Sequence, residues 1–206
     1  QLIDRVAELT RPLERGQAAG QVGPLIDGLA KERVLKYISE SEAQGAQILV
    51  DGRSWADVPE GFWVGPTIIV HNNRADRALH DEIFGPVLSI IKVDSREEAI
   101  AIENGNPYGN AACIYTTNGA NAEWFQRRFR AAMIGVNIGI PVPREPFTFG
   151  GLYGTLSKFG DHDITGDGAM EFFTARRKVT TKWALPPPIA AHSHRNEDKA
   201  NFDGRM

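Results

Sequence analysis

The chain is predicted to fold as an α/β protein, an open and mostly parallel sheet with helices on its faces. Three observations predict this. Short β-forming runs, "VLSIIKV" at 87–93, "AACIYT" at 111–116 and "AMIGVNI" at 132–138, are separated by segments with helical periodicity and capping residues. A repeated β-then-α order calls for crossover connections, which place helices over a parallel sheet. The 206 residues, 42% hydrophobic and 24% charged, suffice for one substantial core.

The elements follow in order. Leu2, Val6, Leu9 and Leu13 form a stripe near helical spacing, with Pro12 close to its end. After the turn-rich "GQAAGQVGP", Asp27 can cap a second helix that places Ala30, Val34, Tyr37, Ile38 and Ser41 on one face, and Gly45 can supply its left-handed stop. "AQILV" reads as a short buried strand. "FWVGPTIIV" is also extended, with Pro66 better suited to an edge or an irregularity than to a central ladder. "VLSIIKV" is the expected interior strand. Ser95 to Glu98 is a capping box opening a helix that Gly105 can end, and Trp124, Phe125, Arg128 and Phe129 mark another after Asn118.

Residues 139–170 lose periodicity and are crowded with Gly, Pro and Asp, as long functional loops often are. "EFFTARRKVTTKW", 171–183, then alternates, with Phe173, Ala175, Val179, Thr181 and Trp183 on one side, and reads as a long half-buried strand. The tail at 185–206 has too little apolar content to pack and is expected to be flexible.

Charge and composition narrow the function. Lys and Arg number 23 and Asp and Glu 26, a net of -3, so no broad positive field favours nucleic acid or anionic lipid. The longest apolar runs fall short of the roughly 20 residues a membrane helix needs, and the N-terminus lacks a charged-then-apolar signal pattern. A soluble, cytoplasmic protein is expected. A single cysteine, Cys113, excludes an internal disulfide and multi-cysteine metal sites. Cys113 lies between Ala112 and Ile114 with no local histidine, so a buried structural thiol is a better reading than a nucleophile. The five histidines show no metal spacing. Asp161, Asp163, Thr165 and Gly166 begin like a calcium loop, but the closing acid, Glu171, comes one position early. There is no Walker A loop and no GxGxxG.

"EIFGP", 82–86, has two readings. One is a capped turn before a core strand, with Glu82 solvated and Phe84 packed under the loop. The other uses the crevice at the strand ends of an open α/β sheet, where a carboxylate can accept hydrogen bonds from the vicinal hydroxyls of a ribose and an aromatic face can lie against a nicotinamide.

"EIFGPV" at 82–87, "NPYGNAACIYT" at 106–116, "AMIGVN" at 132–137 and "FGG" at 149–151 resemble the ordered landmarks of the aldehyde dehydrogenase superfamily, over about residues 20–183. Within it, "IPVPREPFTFGG" and "SKFGDHDITGDGAMEFFTARRKVTTKW" look most like the methylmalonate-semialdehyde dehydrogenase branch, which makes an acyl-CoA, although "REPFT" and "DITGDGAM" depart from that branch's pattern.

The resemblance implies that Glu82 holds the nicotinamide ribose of NAD and Phe84 packs beside the nicotinamide, fixed by the Gly85-Pro86 step. It implies that Asn137 and the loop from Ile140 to Phe149 approach the aldehyde pocket, with Phe149 as a wall. It divides the chain into a catalytic-domain portion at 1–170 that lacks its nucleophile segment, an oligomerisation strand at 171–184, and the tail. The family's catalytic Cys, its oxyanion-holding Asn and its dinucleotide-binding first half would lie before Gln1, so no residue here is expected to be catalytic. The chain is expected to be the C-terminal portion of the enzyme and inactive alone. In the complete enzyme, the resemblance implies, a thiolate attacks a small aldehyde, hydride passes to NAD, and coenzyme A or water releases the acyl group. A homo-oligomer is expected, and no nucleic acid, membrane or metal. The alternative is an oligomerisation or interaction module without catalysis.

Overall fold

A computed structural model describes residues 1–58, 60–144 and 147–183. The expected flexible tail at 185–206 lies outside the described residues. The described residues divide into two compact units, the first within 1–141 with 151–158, and the second formed by 142–144, 147–150 and 159–183.

The first unit begins with helix α1, Leu2–Thr10. Its apolar stripe does not find a core: Leu2 is 78% and Leu9 56% exposed, and only Ala7 of the helix is buried. Helix α2, Gly28–Ala43, starts where Asp27 accepts from the amide of Ala30 at 2.7 Å. It buries Val34, Tyr37, Ile38 and Ser41, four of the five residues expected on that face. Gly45 follows the helix with φ +90°, a conformation that glycine adopts without steric cost.

Strands β1 (Gln47–Val50), β2 (Thr67–His71) and β3 (Val87–Ile91) form a sheet in that order, β1 antiparallel to β2 and β2 parallel to β3 from Thr67↔Val87 to His71↔Ile91. Here the expectation is reversed. "VLSII" forms an edge of this sheet and "TIIVH" is its centre. Pro66 permits this because it precedes the ladder rather than sitting in it, and the first donor is Thr67, whose N–H reaches the Pro86 carbonyl at 2.8 Å. Adjacent strand residues point to opposite faces, so the burial of both Ile68 and Ile69 shows that β2 is covered on both sides. Ile69 packs with Val34, Ile38, Val64, Ala78 and Ile83 in the main core.

Helix α3, Arg96–Gly105, opens on Ser95, whose hydroxyl accepts from the Glu98 amide at 3.1 Å. The Glu98 carboxylate accepts from Asp94 N–H, so the expected reciprocal bond is made one residue earlier. Strand β4 (Ala111–Ile114), helix α4 (Gly119–Gln126), capped by Asn118, and strand β5 (Met133–Val136) follow. β4 and β5 pair in parallel as a separate two-stranded sheet. The expected α/β class is present, with two of the three strand pairs parallel, but as two small sheets rather than one.

In the second unit, helix α5 spans Gly166–Phe173. This corrects the long strand expected over 171–183: its first three residues are helical, and 174–183 are exposed and join no ladder among the described residues. Period-two alternation marks a surface that can be half covered, but a strand also needs a neighbour for its backbone. Glu171 lies on this helix, near His162 and 3.5 Å from the Arg176 guanidinium, so the acid that would close a calcium loop is engaged by an arginine. No helix among the described residues is long and apolar enough to cross a membrane.

Candidate functional site

The residues from Asp81 to Val87 connect a 3-10 turn, Arg77–Leu79, to β3. Val87 N–H donates to the Gly85 carbonyl at 2.8 Å, a tight turn around Pro86 that starts the strand abruptly. Alternate residues of this segment are held by α2. The Tyr37 hydroxyl donates to Asp81 Oδ2 at 2.7 Å, and Arg77 donates to the same oxygen from Nε at 3.0 Å and from its terminal nitrogen at 2.7 Å. Arg33 donates to the Ile83 carbonyl at 3.1 Å, while the Ile83 side chain enters the core. At Gly85 a Cβ would lie 2.6 Å from Val34 Cγ2, so only glycine fits so close to the helix.

The residues between them face outward. Glu82 is exposed and Phe84 is 72% exposed. Phe84 has φ +52°, an outlier for a bulky residue and the kind of local strain that clusters at ligand sites. Both line one open cavity of about 300 Å³ with Asp81, Val87 and Ser89. Glu82 also borders a second cavity of about 300 Å³, shared with Glu103, Tyr108 and Ser157. No hydrogen bond or ion pair engages the Glu82 carboxylate among the described residues, which leaves its oxygens available to hydroxyl donors.

Electrostatics reinforce the division. The Tyr37 hydroxyl, and then the Arg77 guanidinium, hold the Asp81 carboxyl below the usual carboxylate range. The same bond to Asp81, with burial, pushes the Tyr37 phenol up. Asp81 is thus held within the fold, whereas the Glu82 carboxylate has no hydrogen-bond or ion-pair partner among the described residues. Behind them, His71 Nδ1 meets Asp76 Oδ2 at 2.9 Å with both side chains buried, and Asp76 Oδ1 accepts from the Ala78 amide at 3.0 Å, capping the 3-10 turn.

The other expected residues are placed differently. Asn137, at φ +57°, follows β5 and uses its side chain as a surrogate peptide: Oδ1 accepts from Thr116 N–H at 2.8 Å and Nδ2 donates to the Thr116 carbonyl at 3.0 Å. One proton and one lone pair of the amide remain. Phe149, in the second unit, is half-buried and its N–H donates to Thr165 Oγ1 at 2.8 Å. Cys113 is half-buried in β4, and its thiol approaches the Gly139 carbonyl at 3.5 Å. A carbonyl is not a base that could draw off its proton. Among the described residues no group of three or more His, Cys, Asp or Glu side chains forms a metal-ligand set.

Sequence reasoning did not find the grip of α2 on the segment. Its signal was there in Arg33 beside the apolar stripe of that helix and, i,i+4 from it, Tyr37 with a polar hydroxyl on the stripe itself, and in Arg77 and Asp81 at the same spacing.

Comparison with known proteins gives a consistent picture. Malonate-semialdehyde dehydrogenase of Bacillus cereus (strain G9842) is 42% identical over 187 residues, covering 89% of this chain and 38% of the relative. The crystal structure of methylmalonate-semialdehyde dehydrogenase from Oceanimonas doudoroffii superposes with a TM-score of 0.83 at 36% identity, over 90% of this chain and 38% of that one. An aldehyde dehydrogenase from Mycobacterium tuberculosis complexed with NAD+ superposes with a TM-score of 0.71 at 29% identity, over 84% of this chain and 35% of that one. The chain therefore spans little more than a third of the length of the relatives it matches. The family model described as "Aldehyde dehydrogenase family" matches residues 1–179, and the chain belongs to that family.

Proposed function

We propose that this chain is the C-terminal part of an NAD-dependent aldehyde dehydrogenase that oxidises a small semialdehyde of the malonate or methylmalonate type and passes the acyl group to coenzyme A. The observation that carries this reading is the pair Glu82 and Phe84, presented to one cavity from a strained turn at the start of a parallel strand. The names of the relatives support the substrate class, and the NAD complex of a structural neighbour supports the cofactor.

In this reading the Glu82 carboxylate accepts hydrogen bonds from both hydroxyls of the nicotinamide ribose, a bidentate arrangement that fixes the ring's position. Phe84 lies against the nicotinamide and shields it from water. NAD, when bound, supplies the hydride acceptor. Asn137 is assigned to the aldehyde pocket, and the nucleophile comes from elsewhere in the longer enzyme. The catalytic-domain portion is assigned to 1–170 and the oligomer contact to 171–184, within which residues 174–183 are exposed, belong to no ladder among the described residues, and are suited to pairing with a strand of another copy.

The exposure of Phe147, Phe159, Met170, Phe172 and Phe173 favours a second reading, an interaction module that works through apolar contact without catalysis. Titration of the chain with NAD, followed by amide chemical shifts, separates the two. The enzyme reading expects saturable millimolar shifts centred on Glu82 to Gly85, weakened about tenfold in Glu82→Gln by loss of charge-assisted bonds. Unchanged shifts in that segment at saturating NAD would overturn it.

A further inference from the structure

We propose that Arg33 and Tyr37 of α2 are positioning residues for the cofactor end of the site, each anchoring one neighbour of Glu82 so that Glu82 and Phe84 are held ready for the nicotinamide riboside. The inference rests on the function proposed above. Its geometric basis is the alternation of the segment. Asp81 is tied by the Tyr37 hydroxyl at 2.7 Å, the Ile83 carbonyl by Arg33 at 3.1 Å, and Gly85 by packing on Val34, the residue next to Arg33 on the same helix. One rigid element thus contacts residues 81, 83 and 85, and the two residues between them project outward.

Holding is needed here. The left-handed conformation of Phe84 persists only if its surroundings over-determine it. An exposed carboxylate on a loose segment would lose conformational freedom on binding and give back part of its affinity. Arg33 and Tyr37 are separated by one helical turn, so a single helix face sets the spacing of both anchors. Arg77 assists at Asp81, donating to the same carboxylate oxygen, and lies with its guanidinium 5.4 Å from the Tyr37 ring centroid, over the residue that anchors Asp81.

The test uses the 206-residue chain with Tyr37→Phe, Arg33→Gln and Arg33→Lys. Tyr37→Phe keeps the ring in the core and removes only the hydroxyl, and Arg33 lies on the surface, so the fold is expected to survive. Amide order parameters without ligand, thermal unfolding, and NAD affinity from amide shifts are measured on each variant. At Glu82 and Phe84 the order parameters are expected to fall from about 0.85 towards 0.6 in Tyr37→Phe and Arg33→Gln. NAD binding should weaken by about fivefold in each, the worth of one hydrogen bond, with amides of β2 unchanged and Arg33→Lys largely restored. Unchanged order and affinity would overturn the inference, as would a loss spread evenly through the α2–β2 core, which a merely structural role produces. If the unsubstituted chain binds NAD at Glu82 and the variants bind equally well, this inference alone fails. If the unsubstituted chain shows no NAD shifts there, the proposed function fails and takes the inference with it.

Discussion

Replacing Gly85 by alanine would place a methyl carbon 2.6 Å from Val34 Cγ2 and 3.1 Å from Val34 Cγ1. Val34 cannot step aside easily. It is fully buried, it belongs to the main core, and a β-branched residue in a helix has one strongly preferred rotamer. Two opposing effects decide the sign. Alanine narrows the unfolded ensemble and by itself stabilises by about 0.4–1 kcal/mol. Overpacking a well-filled core costs about 1–3 kcal/mol. The clash should win, leaving the variant destabilised by roughly 1–2 kcal/mol. Val34→Ala alone removes two methyl groups and leaves a cavity, at a cost of about 2–3 kcal/mol. The double variant returns the space that the new methyl needs, so its loss should fall short of the sum by about 1 kcal/mol or more. Urea unfolding followed by circular dichroism measures all four proteins, with the slope held constant as the check on a common mechanism. A stable Gly85→Ala, or strictly additive losses, would refute the close packing of α2 on this turn.

Three further outcomes are expected. The folded carboxyl of Asp81 titrates below its unfolded value, near 4, so its stabilising contribution is complete above that pH and is lost as pH falls through the depressed folded value. Asp81→Asn should therefore flatten the acid limb of the stability profile, and an identical limb in both proteins would contradict the grip. Phe84→Gly should raise the unfolding temperature slightly, because relief of left-handed strain, about 1–2 kcal/mol, exceeds the about 0.5–1 kcal/mol that glycine costs through the unfolded chain, while the 72% exposed ring contributes little packing. A lower unfolding temperature would show that the ring packs more than its exposure indicates. Asn137→Asp sets a carboxylate oxygen against the Thr116 carbonyl where Nδ2 now donates, and should destabilise by about 1–3 kcal/mol at neutral pH, recovering partly when the acid is protonated. A pH-independent loss would argue against that contact.

The capping residues were legible because their chemistry is local. Asp27, Ser95 and Asn118 each satisfy an amide two or three residues away, and no distant part of the molecule is needed to decide that. The buried face of α2 was legible for a related reason, since four of its residues repeat with the helical period. "EIFGP" stood out as a turn before a strand, but whether Phe84 packs under it or projects from it was left open, and the structure exposes the ring.

What the sequence determined by itself was therefore the α/β class, the order of β3, α3, β4, α4 and β5, and the turn at "EIFGP" that opens β3. Tertiary structure decided which apolar pattern found a partner: β2 took the centre of its sheet, the stripe of α1 stayed open, and residues 171–173 became helix. It also decided that Arg33, Val34 and Tyr37 meet Ile83, Gly85 and Asp81 across about fifty residues of chain. Periodicity states that a face can be covered, and only the packed chain states by what.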